Sequence, residues 1–219
     1  MVPLYDSPWG GLIMANLLSN FRNTILLSLV LAGVMIFAFG RVAPGGFDQS
    51  FWQAMLRWAH VGSGILWIGL LYYFNFVQIR MMPTIPAELK PAIGKHIAPE
   101  ALFWFRWSAL ATVVFGLGVM FLRGHAYAME VLSFGFAGGL VQGDQGFTLM
   151  GVGVWLAVVM FLNVWGIIWP NQKRALGIVV VDDAAKAKAA RVAMLASRTN
   201  LLLSLPMLTS MAMYQTLFG

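Results

Sequence analysis

Residues 51–77, FWQAMLRWAHVGSGILWIGLLYYFNFV, decide how the rest of the chain is interpreted. The stretch is apolar and long enough to cross a bilayer as a helix, for which about 20 residues are needed. It also contains His60. Because an ionisable side chain within a span almost always faces the protein interior and has a partner there, His60 marks an interior face of this helix.

The face around His60 is basic on one side and small on the other. Helical spacing puts Arg57 one turn before His60, and Ser63 and Gly64 one turn after it. Small residues would let a flat ligand such as haem approach the backbone while the imidazole supplies an axial nitrogen. The same pattern also fits a close helix–helix contact in which the histidine is hydrogen-bonded to a neighbouring helix. Both interpretations remain open from these residues.

The composition is that of an integral membrane protein in a lipid bilayer. Hydrophobic residues make up 60% of the 219 residues and charged residues 10%, whereas soluble domains are about 25% charged. No cysteine is present, which excludes disulfides, thiolate metal sites, iron–sulfur clusters and c-type haem attachment. An imidazole-ligated cofactor must therefore use His60, His96 or His125. We attribute the net charge of +6 to membrane topology and not to nucleic-acid binding.

The apolar runs predict an all-α fold in a single transmembrane domain, residues 1–219, with five transmembrane helices. Helices 2 to 5 are expected to form a four-helix bundle. A cytoplasmic helix is expected at about 184–198, directly before the last span. The predicted spans cover residues about 24–40, 51–79, 99–122, 147–169 and 201–218.

Prolines and glycines set the ends of these helices. Pro99 suits the first turn of the third span, and Pro170 ends the fourth. Pro206 is expected to kink the fifth. The glycine-rich segment 123–146 is expected to lie over one mouth of the bundle as a lid or docking surface.

Basic residues predict the orientation. With the N-terminus in the cytoplasm and the C-terminus in the periplasm of a bacterial inner membrane, the outer loops keep only Arg41 and Arg123. The cytoplasmic side then receives Arg22, Arg80, Lys90, Lys95, Lys173, Arg174, Lys186, Lys188, Arg191 and Arg198.

This topology divides the polar residues of the spans into two layers. We call Arg57, His60 and His125 the outer polar layer; His125, just past the third helix, is expected to meet His60 as a second metal ligand. The inner polar layer could be a hydrogen-bonded plug between helix ends, or a pocket for a polar, partly anionic molecule. Its members are Asn75, Arg106, Asn163, Asn171, Gln172, Arg198 and Asn200, joined by His96 and Glu100.

Four segments carry a family resemblance. They are WAHVGSGILWIGLLYYFNFVQ (58–78), IAPEALFWFRWSA (97–109), GVWLAVVMFLNVWGIIWPNQKR (153–174) and SRTNLLLSLPML (197–208). Together they resemble the membrane domain of the bacterial membrane-bound urate oxidase family, with NVWGIIWPNQKR as the most specific string. The resemblance covers most of the chain from about residue 51 onward.

The resemblance implies an oxidoreductase that hydroxylates urate to 5-hydroxyisourate and passes electrons to a cytochrome c. Members of the family carry a C-terminal cytochrome c domain, whereas this sequence ends at the fifth span without cysteine. We therefore expect a separate cytochrome c, with b-type haem at Arg57, His60, Gly64 and His125, and urate at the inner polar layer. The alternative is a non-catalytic structural or electron-transfer subunit of a larger respiratory or photosynthetic membrane complex.

Overall fold

The computed structural model describes residues 8–137 and 144–218. Within these ranges every regular element is helical and there is no strand, so the all-α prediction is confirmed for this part of the chain. Five helices are long and apolar enough to cross a membrane, as predicted, and the chain is a multi-pass membrane protein by that criterion. They cover Phe21–Val42, Gln49–Thr84, Lys90–Leu122, Gln145–Ala175 and Asp183–Leu217.

The chain divides into two compact units, residues 1–52 and residues 53–219. The prediction of one domain stays a prediction, and each unit is described by itself. The helices that build them, in chain order, are α1 Pro8–Ser19, α2 Phe21–Val42, α3 Gln49–Tyr72, α4 Ile79–Met81, α5 Lys90–Ala92, α6 Ala98–Leu122, α7 His125–Leu132, α8 Gln145–Asn163, α9 Trp169–Ala175 and α10 Asp183–Leu217.

The first unit contains α1, α2 and the start of α3. Asn20 caps α2, because its side-chain oxygen accepts the N–H groups of Arg22 and Asn23. Asp48 caps α3 in the same way by accepting the N–H of Phe51 at 3.0 Å. These caps satisfy backbone donors that a helix start otherwise leaves without partners.

Three wide π-helical turns interrupt the spans of the second unit. They are Tyr73–Gln78 after α3, Ile93–Ile97 before α6 and Val164–Ile168 after α8. Such turns add a residue to a helix and are frequent at functional sites. The first of them contains Asn75, the second contains His96, and Asn163 directly precedes the third. Three residues assigned to the inner polar layer therefore lie at these turns.

The second unit has one main core to which its four long helices all contribute. Trp67 and Phe105 are the largest fully buried side chains, and Met160 and Met207 join them from α8 and α10. Between helices in a membrane, dense packing and hydrogen bonds stabilise the fold, because lipid removes most of the hydrophobic driving force. A second, smaller cluster consists of Met120, Ala128 and Val131.

Contacts along α3 and α6 show that these helices run antiparallel. At one end the Gln53 side chain donates to the carbonyl of Leu122 at 3.3 Å. Toward the other end the rings of Phe74 and Phe105 meet edge to face, with centroids 5.6 Å apart. A residue further along α3 therefore faces one that is earlier in α6.

The last helix, α10, is antiparallel to both α3 and α8. Arg57 donates to Gln215 at 3.3 Å, and Asn75 donates to Ser197 at 2.9 Å. On the other side, Asn163 donates to Asn200 at 2.7 Å, and Ser210, later in α10, donates to the carbonyl of Leu149, earlier in α8. Because α3 and α8 both oppose α10, they run parallel to each other.

Two regions differ from their predicted outlines. The predicted cytoplasmic helix and fifth span form one continuous helix, α10, which passes through Pro206; helices in membranes tolerate proline where neighbours satisfy the freed carbonyl. The third span begins earlier than predicted, because residues 90–97 already coil in helical turns. In the predicted lid, α7 is helical, and Gly138, Gly139 and Gly143 lie outside the described residues.

Candidate ligand-binding cavity

A cavity of about 590 Å³ lies between α3, α6, α7, α8 and α10 of the second unit. This volume is within the range of about 300–1,000 Å³ that is usual for small-molecule and cofactor sites. Most of its lining is aliphatic, with a few polar groups that include Arg57, His60 and Arg123. An apolar cavity with few polar groups suits a ligand with a large apolar body.

His60 is held at the wall of this cavity by one hydrogen bond. Its Nδ1 lies 2.7 Å from the carbonyl oxygen of Thr112 on α6. Because a carbonyl only accepts, Nδ1 is the donor in this bond, and in a neutral imidazole the lone pair is then on Nε2. Nε2 has no hydrogen-bond partner among the described residues. Metal-binding histidines commonly have this arrangement, with one ring nitrogen donating to a backbone carbonyl and the other free to ligate.

Two glycines make room for the ring and for the wall beside it. A Cβ at Gly116 would lie 2.8 Å from Nδ1 and 2.9 Å from Cε1 of His60, closer than real Cβ contacts come. Gly64 lines the cavity one turn after His60, where a Cβ would be 3.7 Å from the Thr112 methyl. Gly116 was not predicted as a residue of the site. The glycine pair Gly116 and Gly118 in the third span was a sequence signal for close packing there.

Two guanidinium groups in the cavity lining have neutral partners. Arg57 donates to the Gln215 side chain at 3.3 Å. Arg123 donates to the Tyr127 hydroxyl at 3.0 Å, and that hydroxyl donates to Tyr214 at 3.2 Å. Among the described residues that line the cavity, none is acidic. The cavity therefore combines apolar walls with two positive charges that can pair with anionic groups of a ligand.

The structure brings together Arg57, His60 and Gly64 of the predicted cofactor site. His125 is exposed at the first residue of α7 and is not among the residues that line the cavity. Its pairing with His60 stays a prediction.

Within the inner polar layer, Asn163 and Asn200 join α8 to α10. The Asn163 amide donates to the Ala196 carbonyl at 2.9 Å and to the Asn200 side chain at 2.7 Å. Asn200 is fully buried and donates in turn to the Met160 carbonyl at 3.0 Å. Such bonds are expected if the inner polar layer is a hydrogen-bonded plug, because the amides supply the hydrogen-bond partners that water would otherwise give to buried polar groups.

Asn75 makes the corresponding connection from α3. Its amide donates to the Leu71 carbonyl and to the Ser197 hydroxyl, both at 2.9 Å. Ser197 and Asn200 are three residues apart on α10, so Asn75 and Asn163 reach it within one turn. Three predicted inner-layer residues thus gather around one turn of α10.

The remaining inner-layer residues are more dispersed. The Arg106 guanidinium lies 3.4 Å above the ring of Trp169, a cation–π contact. Asn171 donates to the carbonyl of Ile167, four residues earlier in the chain, and Arg198 is exposed. Four amide oxygens are buried without a hydrogen-bond partner in the described part of the chain: those of Asn75, Gln78, Asn163 and Gln172. Such acceptors call for water or for N–H groups of a ligand.

His96 and Glu100 line a second, shallower depression of about 370 Å³ beside Trp104. The Trp104 indole donates to Glu100 at 2.9 Å.

In the comparisons with known proteins, no family model, no curated protein and no solved structure matches this chain.

Proposed function

We propose that this chain is a membrane-bound redox protein that holds a b-type haem at His60 and passes electrons to a separate cytochrome c. The observation that carries the proposal is the His60 ring, whose Nδ1 donates to Thr112 at 2.7 Å while Nε2 is left unpaired at the wall of an apolar cavity. A histidine that served only as a contact between α3 and α6 would need no cavity beside it.

The residues around the cavity suit such a cofactor. His60 Nε2 would ligate the iron, the aliphatic walls would cover the porphyrin, and Arg57 and Arg123 would pair with the two propionates. A haem bound there supplies one-electron transfer, with a potential set by its axial ligands and its surroundings. The chain itself fixes the imidazole, since the Thr112 carbonyl orients the ring and Gly116 leaves room for it.

The proposal includes the predicted orientation and a four-helix bundle of the second unit. Hydrogen bonds from α3 and α8 to α10 support the bundle. The bonds of Asn75 to Ser197 and of Asn163 to Asn200 bring the ends of three spans together, and most of the lysines and arginines follow or precede these ends. By the positive-inside rule that end faces the cytoplasm of a bacterial inner membrane, and the cavity lies toward the periplasm, where a cytochrome c would dock.

Urate is the proposed electron donor, through the resemblance of residues 58–208. In this reaction urate combines with one water to give 5-hydroxyisourate, two electrons and two protons. A haem held by His60 would supply the one-electron chemistry by which those electrons reach the cytochrome. A purine has several N–H groups, and the unpaired amide oxygens of Asn75, Asn163 and Gln172 are acceptors for such donors.

The test is an optical titration of the purified full chain with ferric haem, before and after reduction with dithionite. We expect a stoichiometric b-type spectrum for the native chain and loss of binding in His60→Ala. His96→Ala is the matched control, since His96 is exposed and lies outside the cavity lining. Equal haem binding by the native chain and His60→Ala would overturn the assignment.

Two further measurements separate the parts of the proposal. Arg57→Gln and Arg123→Gln should weaken haem affinity while leaving the band positions unchanged, because they remove only charge partners of the propionates. Anaerobic addition of urate should reduce the bound haem. Haem binding without reduction by urate would leave an electron-transfer subunit of a larger membrane complex as the function.

A further inference from the structure

Four methionines line the same cavity as His60: Met120, Met150, Met207 and Met211. A thioether is a soft ligand, and histidine–methionine pairs hold the haem iron of many cytochromes. If the proposed function holds, an iron bound to His60 has a second axial position on its far side. The depth and the helix of each methionine decide which of them can occupy it.

Depth relative to α3 excludes two of the four. Leu56 on α3 is level with Gly118 on α6, since a Cβ at Gly118 would lie 3.2 Å from the Leu56 side chain. Because the two helices are antiparallel, Met120 lies beyond Leu56 on the side away from His60, at a depth more than one turn from His60. Tyr72 meets Ser204 at 3.3 Å. Met207 therefore lies more than one turn beyond His60, given a rise of 1.5 Å per residue.

Met150 and Met211 lie close to the depth of His60. Arg57 meets Gln215 at 3.3 Å, so His60, three residues further along α3, is level with about residue 212 of the antiparallel α10. Residue 211 adjoins that position. On α8, Leu149 accepts a hydrogen bond from Ser210, which puts Met150 at the same level within about one turn.

The order of the helices separates these two candidates. α3 is bonded to α6 through His60 and to α10 through Arg57. α8 is hydrogen-bonded to α10. The turn that follows α8 contacts α6, because the ring centroids of Trp165 and Trp107 lie 5.7 Å apart. α8 is therefore the helix across the cavity from α3, whereas α10 is beside it. Met211 leans toward α8, since a Cβ at Gly153 would lie 3.3 Å from its Cγ.

We infer that Met150 Sδ is the second axial ligand of a haem bound at His60, in place of the predicted His125. The inference rests on the proposed function. It makes the cavity a histidine–methionine site, in which the thioether raises the reduction potential relative to two imidazoles. A cofactor with a raised potential accepts electrons more readily from its donor.

The experiment compares the full chain with Met150→Leu after loading with ferric haem. For the native chain we expect a six-coordinate, low-spin spectrum in both oxidation states and no binding of carbon monoxide. Met150→Leu should keep the haem through His60 but become high-spin when reduced, bind carbon monoxide, and show a lower midpoint potential. Met150→His should restore the low-spin spectrum, again with a lower potential than that of the native chain.

Met211→Leu and His125→Ala are the matched controls, and both should retain the native spectrum and potential. A low-spin Met150→Leu would overturn the inference, as would a native chain that is already five-coordinate or a high-spin spectrum in either control. A native chain that binds no haem would instead refute the proposed function itself. If Met150→Leu does not fold, the potential of Met150→His alone decides, because an unchanged potential contradicts thioether ligation.

Discussion

Replacing Gly116 by alanine tests the position of the His60 ring directly. The added Cβ would lie 2.8 Å from Nδ1, and ordinary contact begins near 3.4 Å, so the ring has to move by about 0.6 Å. The same movement stretches the 2.7 Å bond from Nδ1 to Thr112. Because the ring and both helices are packed, the substitution strains the contact between α3 and α6.

Three contributions set the expected change in the free energy of unfolding. Overpacking of this kind costs about 1–3 kcal/mol, and a weakened hydrogen bond adds about 0.5–1.5 kcal/mol. Alanine favours a helix over glycine by about 1 kcal/mol, which offsets part of the loss. We expect Gly116→Ala to lower the free energy of unfolding by about 1–3 kcal/mol in total.

The assay is reversible unfolding in mixed micelles with increasing sodium dodecyl sulfate, followed by circular dichroism. Gly62→Ala is the matched control in the neighbouring span, because a Cβ at Gly62 meets nothing within 4 Å. It should be neutral or stabilising. In parallel, ¹⁵N resonances of the imidazole should report Nδ1–H in the native chain and a weaker hydrogen bond in Gly116→Ala. Equal stability of the two variants would refute the described position of the ring.

Two other predictions concern hydrogen bonds away from the cavity. Asn200→Ala should lower the free energy of unfolding by about 1–3 kcal/mol, and a double-mutant cycle with Asn163→Ala should give a coupling of about 0.6–1.7 kcal/mol; additive effects would contradict the 2.7 Å contact. Hydrogen bonds from the Ser50 hydroxyl and then from the Phe51 N–H lower the pKa of Asp48 below 3.8. Its capping contribution is therefore present above pH 3.8 and lost as the pH falls through the lowered pKa. Ser50→Ala should raise that pKa in a carboxyl ¹³C titration, and an unchanged value would contradict the 2.6 Å hydrogen bond from Ser50 to Asp48.

The spans could be predicted from the sequence because length and apolarity determine them almost alone. The buried amides could also be predicted, since Asn75 and Asn163 interrupt apolar runs and a polar group at such depth needs a partner. Their partners could not, because Ser197 and Asn200 lie on a helix more than 30 residues away in sequence from either amide, and the register between helices is set by packing.

The cavity was harder to anticipate than His60 itself. A histidine in a span stands out, whereas Gly116 and Met150 are ordinary residues of apolar helices until the neighbouring helices are in place. The π-helical turns could not be predicted from the sequence either, because one additional residue in a uniformly apolar run leaves the hydrophobic pattern unchanged.

Those wide turns have a consequence for how the protein can vary. An additional residue advances the angular phase of everything that follows it by about 100°, the rotation of one residue in an α-helix. Asn163 directly precedes one of these turns. Residues before the turn, such as Met150, and residues after it can therefore point in different directions around the helix axis. Deleting one residue from Val164–Ile168 would rotate the following helix as a block and leave the walls around His60 in their original phase.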